Sequence, residues 1–417
     1  MKKILLILLF LFIVPLTVNA SITPMARIGN NYYDTLEEAV ENATGDDVIT
    51  LISNVSLDDT LLINKEVNIN LNGNNIEALE KVFQVQGGFL TLSGKGTVKE
   101  TKPNYGAVML VGSKEPVNYK YSGVKVGSDV TLEGWSGIFI THDAYKSYGV
   151  VAYLEGKINA VDDITGGPGA GVYVNGNIKD QSYHPVVNIM DGAVINSTGN
   201  GLYIAGYSTF NINDAYIEGD ESAIGIKSGI LNIDGATVVS NGEDKTPTEG
   251  YNNGIKASGT AIQIESNNGY AGDIELNISK GTFKSKNSNV IYEYIGKGNS
   301  SLIYSMSISG GKFSSEAGKQ VFSFSDSFKD IHSGFISGGE YATDPSGYLK
   351  SGYTAVKDNN FYRVIKSTLK GVYSTNVQNS NHTLRNIILI CIFSIILIIL
   401  GYINRDKLKS IFTKYKR

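Results

Sequence analysis

The chain has 417 residues, with 36 basic and 40 acidic side chains and a formal charge of −4, which excludes the strongly basic balance of proteins that wrap nucleic acid. Its 47 glycines and 8 prolines suit many short strands joined by tight turns, where Gly supplies positive φ. The single cysteine, Cys391, lies in an apolar run near the C-terminus, so a disulfide framework and thiol chemistry are excluded for the rest of the chain.

Met1 to Ala20 joins Lys2 and Lys3 to an apolar run from Ile4 to Val14 and the small-residue ending Val18-Asn19-Ala20, the pattern of a cleaved export signal. Residues 21–47 are expected to form an N-terminal cap. There Asp34-Thr35-Leu36-Glu37 sets a capping side chain three residues before a glutamate, and Leu36, Ala39 and Val40 share one face of a short helix ending at Gly45. Such a helix covers the open edge of a sheet that would otherwise invite aggregation.

From 48 to 342 a short phrase recurs: an apolar residue, Asn or Ser, Ile, then a turn with Gly or Asp. It reads Val187-Asn188-Ile189, Phe210-Asn211-Ile212, Leu231-Asn232-Ile233 and Leu276-Asn277-Ile278, with the isoleucines 23, 21 and 45 residues apart. Leu71 and Leu92 repeat the spacing at 21, and Leu132 follows 40 residues on. A period near 22 carrying alternating strands, with almost no helical periodicity between copies, predicts an all-β solenoid, a right-handed parallel β-helix of about twelve turns. Expected strands include Val67 to Leu71, Phe89 to Leu92, Gly149 to Leu154, Gly171 to Val174, Gly201 to Ile204 and Ala223 to Ile226.

Residues 343–365 depart from the period and are expected to close the far end, with 366–386 a polar stalk. Residues 387–403 are uncharged and apolar, about 25 Å long as a helix, which predicts a single membrane span. The tail 404–417 holds six cations against Asp406, which places it in the cytoplasm and the β-helix outside. Between signal and tail lie 28 basic and 39 acidic residues; that acidic balance disfavours nucleic acid as a partner.

The opening Ala26-Arg27-Ile28-Gly29 with Tyr32-Tyr33-Asp34-Thr35-Leu36-Glu37-Glu38-Ala39, then Gly225-Ile226-Lys227-Ser228-Gly229, and the closing Gly338-Gly339-Glu340-Tyr341-Ala342-Thr343-Asp344-Pro345-Ser346 with Tyr348-Leu349 and Gly352-Tyr353, carry a likeness. The chain resembles the exported parallel β-helix surface proteins of low-GC Gram-positive bacteria, in the pectin-lyase-like superfamily. The resemblance implies architecture and location, since most such proteins have no assigned chemistry. It also implies a sortase signal before the span. The corresponding stretch, Asn379-Ser380-Asn381-His382-Thr383, lacks its Pro and its Thr-Gly pair, so retention by the span is expected instead.

The superfamily's lyases use a carboxylate cluster with calcium and an Arg or Lys base. Before the span the chain has three arginines, Arg27, Arg363 and Arg385, all in end caps or stalk. Lys125, Lys157, Lys179 and Lys227 are read as solvated faces, and the Gly-His-Gly turn of the hydrolases is absent. Asp143, Asp162 and Asp163 with His142 would serve as acid and base only if loops brought them together. Asp191 and Asp214 occupy the same place in successive repeats and invite a calcium reading, but Asp234 slips by one position and Asp-Gly is a common turn pair. Four scattered histidines give no metal site, so no metal and no cofactor are expected.

The aromatic residues remain. Trp135, Tyr119, Tyr121, Tyr145, Tyr148, Tyr251 and Tyr270 fall outside the regular strands or in Asn- and Gly-rich loops, and flat rings beside amide groups suit sugars. The expectation is a non-catalytic, membrane-anchored surface protein that binds glycans or other surface proteins in an adhesin-like way. The alternatives are a polysaccharide lyase or glycoside hydrolase of the same fold, and a structural envelope component.

Overall fold

The computed structural model describes residues 23–112, 122–146, 149–176, 183–245, 258–266, 270, 272–295, 304–324 and 333–367. Each turn of chain lays down three short strands, and each strand pairs in parallel with its equivalents one turn before and one turn after. The first strands run Glu66–Asn70, Phe89–Ser93, Ser122–Val126, Val150–Leu154 and Val186–Ile189 in register. The second strands, Ile76–Ala78, Gly96–Glu100, Val130–Gly134, Lys157–Ala160 and Val194–Ser197, do the same. So do the third, Phe83–Val85, Val108–Leu110, Ser136–Ile140 and Ala170–Asn175. In the middle the strands Asn200–Gly219 and Ile224–Ser240 bend round the corners without a break. The wiring is that of an all-β solenoid.

Ten complete turns stand among the described residues, against about twelve expected over 48–342. The longest stretch between consecutive described strands, from Ser240 to Ile262, lies inside a single turn. Antiparallel pairing closes the ends: 26–28 lies against 49–51, and 340–341 against 362–363. The helix Leu36–Asn42 buries Leu36, Ala39 and Val40 as expected. Its cap is Thr35, whose side chain accepts from the Glu38 amide, and it stops at Ala43 rather than Gly45. Among the described residues no helix is long and apolar enough to cross a membrane; the runs 1–20 and 387–403, the stalk and the tail lie outside them.

The recurring phrase splits cleanly between inside and outside, because alternate residues of a strand face opposite ways. Ile189, Ile212, Ile233 and Ile278 stack inward at no more than 2% exposure, each contributing about 1.5–3 kcal/mol by burial. Their asparagine neighbours face out and form a ladder: Asn277 donates to Asn232, Asn232 to Asn211 and Asn211 to Asn188, at 2.9, 3.0 and 3.0 Å. Toward the C-terminal end the inward rings Phe283, Phe313 and Tyr341 stack at 4.7 and 5.0 Å.

Glycines open the inward column of the third strands. A Cβ on Gly171 or Gly201 would lie 2.3 Å from Ile195 Cγ2 or 2.5 Å from Ile217 Cγ2. The second-strand isoleucine fills the space that the third strand vacates.

Candidate functional site

The third strands carry an outward column in register across the turns: Leu62, Gln84, Met109, Phe139, Tyr173, Tyr203, Gly225, Gln263 and Tyr292. Phe139 sits between inward Ile138 and Ile140, Tyr173 between Val172 and Val174, and Tyr203 between Leu202 and Ile204, so alternation sends all three rings out together. Phe139 stacks on Tyr173 at 5.0 Å and 15°, and Tyr173 on Tyr203 at 4.7 Å and 17°. The column's aromatic run ends at Gly225.

Two residues singled out in the sequence join this column from opposite ends. Trp135, just before the third strand, lies 4.9 Å from Tyr173 and 6.3 Å from Phe139; its indole Nε1 donates to the Pro168 carbonyl at 3.1 Å. Tyr270 packs on the same cluster, which is separate from the interior core. Tyr105 meets the edge of Phe139 at 6.4 Å, with the Lys81 ammonium 4.9 Å from the Tyr105 ring centre. Trp135, Phe139, Tyr105 and Tyr270 are half-buried, whereas Tyr173 and Tyr203 are 4% and 3% exposed. Burial holds the phenols of both buried tyrosines protonated far above their ordinary range, with the Tyr270 phenol adding to the effect.

Beyond Tyr203 the patch turns polar. Lys227 Nζ lies 5.3 Å from the Tyr203 ring centre, 4.8 Å from that of Tyr270 and 3.7 Å from Glu265. Lys227 is 4% exposed, which corrects its reading as a solvated surface residue: the ring faces of Tyr203 and Tyr270 and the carboxylate of Glu265 cover it. Gln263, fully buried in register with Gly225, accepts from Ser222 Oγ and from the Ser258 amide and hydroxyl.

Of the other aromatic candidates, Tyr145 lies in the 3-10 turn His142–Lys146, while Tyr119, Tyr121, Tyr148 and Tyr251 lie outside the described residues. Sequence reasoning missed Tyr173 and Tyr203. The signal for them was present as the triplets Ile138-Phe139-Ile140, Val172-Tyr173-Val174 and Leu202-Tyr203-Ile204, in which an aromatic residue sits between two inward ones.

The acidic candidates do not assemble into a site. His142 Nε2 lies 3.3 Å from Asp143 Oδ1 on an exposed surface. Asp163 closes its own turn, accepting from Thr165 N, Thr165 Oγ1 and Gly167 N. Its slight burial works against ionisation, but these bonds outweigh it and hold its carboxyl below the ordinary range. Lys280 answers Asp214 and Asp234 at 3.4 and 3.9 Å, so these two acids have a cation beside them. Among the described residues no group of three His, Cys, Asp or Glu side chains could hold a metal ion. A shallow groove of about 230 Å³ follows the asparagine ladder, lined by Asn211, Asn232, Asn277 and neighbouring hydroxyls.

Comparison with protein-family models, with curated proteins and with solved structures returns no match for this chain.

Proposed function

We propose that this chain is a non-catalytic, membrane-anchored surface protein whose right-handed parallel β-helix binds glycans through the aromatic patch around Trp135. The observation that carries the reading is the clustering of Trp135, Phe139 and Tyr105, three half-buried ring faces backed by the buried rings of Tyr173 and Tyr203. A sugar presents an apolar C–H face and a rim of hydroxyls, and such a surface stacks on rings held rigid from behind. The export signal 1–20, the span 387–403 and the cationic tail set the β-helix outside the cell, consistent with the resemblance to exported surface proteins of the pectin-lyase-like superfamily.

Trp135 is the sole tryptophan of the chain, so its emission reports directly on the patch. Titration of the full chain with oligosaccharides chosen from a glycan array is expected to change that emission. Trp135→Ala is expected to weaken binding about tenfold or more. Binding of full strength in the Trp135→Ala protein would move the site elsewhere. Retention in the membrane after carbonate wash tests the anchor.

One observation favours the enzymatic alternative, a buried lysine beside two phenols and a carboxylate at Lys227, Tyr203, Tyr270 and Glu265. A proton-abstracting lyase needs groups of that kind. Depolymerisation of a uronan, lost in Lys227→Met, would select it over the binding reading.

A further inference from the structure

Glu100 ends the second strand Gly96–Glu100 and is 1% exposed, yet among the described residues no cation pairs with it. Three backbone amides take that place. Oε1 accepts from Asn104 N at 3.0 Å and Tyr105 N at 2.9 Å, and Oε2 accepts from Trp135 N at 3.0 Å, one turn further along. A carboxylate suits this arrangement because both oxygens accept and neither donates, and bonds to a charged acceptor are the strong ones. A glutamine would turn an N–H₂ toward one of these N–H groups and leave it unpaired in a buried place. Gly134 admits the close approach: a Cβ there would stand 2.8 Å from Glu100 Oε2.

The same two segments are fastened again beside the carboxylate. Ser136 Oγ donates to the Tyr105 carbonyl at 2.6 Å, and Ala107 N donates to the Ser136 carbonyl at 3.0 Å. Farther out, Ile164 N donates to the Pro103 carbonyl at 3.2 Å, tying in the loop whose Pro168 holds the indole. The residues whose amides Glu100 binds include two whose rings lie beside Phe139, at 6.4 Å for Tyr105 and 6.3 Å for Trp135.

We infer that Glu100 is the positioning residue of the aromatic site. Its carboxylate fixes the backbone of Tyr105 and Trp135 together, so that both rings stand ready beside Phe139 before any ligand arrives. A preformed site spends less of its contact energy on ordering loops. The assignment rests on the glycan-binding reading for its purpose, but the geometry it describes is testable without a ligand.

The test compares wild type with Glu100→Gln in the full chain, using Trp135 emission, acrylamide quenching and far-ultraviolet circular dichroism. The expected result is a red-shifted emission and a quenching constant raised about twofold or more, with the strand signal unchanged, because losing bonds to a charged acceptor frees the segment locally. Binding of the array-selected oligosaccharide is expected to fall about tenfold or more. Glu133→Gln, which removes the half-exposed pair with Lys99, is expected to leave every readout at wild type. Should Glu100→Gln fail to fold, Glu100→Asp keeps the acceptors but shortens their reach, and the same emission and quenching readouts decide.

Unchanged emission and quenching in the substituted protein would overturn the inference. If an oligosaccharide binds wild type and Glu100→Gln equally well, positioning falls while the binding reading stands. If no oligosaccharide perturbs Trp135 in wild type, the binding reading falls, and quenching alone still decides the role of Glu100.

Discussion

Asp244 shows how single side chains tune this molecule. The Lys319 ammonium at 2.8 Å and the Ser288 hydroxyl at 3.0 Å hold its carboxyl below the ordinary range. A carboxyl whose folded value is depressed adds stability that is fully present above its unfolded value near 3.9 and is lost as pH falls through the folded value. Asp244→Asn is therefore expected to lower the urea midpoint slightly at pH 7 and to abolish that difference near pH 2. The effect at neutral pH should shrink in high salt, since both partners are more than a third exposed. None of this partnering was legible in the sequence, where Asp244 and Lys319 stand 75 positions apart. The same distance effect hid the ring column. Trp135 and Tyr270 stood out because they lie off the strands, whereas Tyr173 and Tyr203 sit where an aromatic residue reads as interior packing.

At the scale of the strand, the alternation of apolar and polar residues marked where strands lie, and the corners were the difficulty. Gly149 to Leu154 is Val150–Leu154, and Gly171 to Val174 lies within Ala170–Asn175. A period of about 22 is kept where corners are tight, as from Leu71 to Leu92. Where 21 residues separate Ser240 from Ile262, the strand signal vanishes and sequence alone cannot tell one turn from two. The glycines at third-strand starts were read as strand members, and the structure supplies the reason for their small size. Gly201→Ala is expected to cost about 1–3 kcal/mol in a denaturation curve, because the methyl would overlap Ile217 in a packed core. Gly45→Ala, with nothing within 4 Å of the new methyl, serves as the control and should lie within about 0.5 kcal/mol of wild type.

For the described molecule as a whole, the two ends matter as much as the middle, because a stack of parallel strands leaves an unsatisfied edge at each terminus. The segment 26–28 and the helix Leu36–Asn42 close one, and the strand Phe361–Lys366 lies antiparallel on 340–341 at the other. Leu36→Asp, at a fully buried position, is expected to release the cap and to shift the protein to large species in size-exclusion chromatography. The asparagine ladder adds an arrow to the stack. Its donated bonds all point one way, from Asn277 toward Asn188, so the amide dipoles add head to tail and the row ends in a donor at one extremity and an acceptor at the other. A row of this kind has a middle that matters more than its ends. Asn188→Ala merely shortens it, whereas Asn232→Ala breaks it into two unconnected pieces, and the second substitution should lower the melting temperature by more than the first.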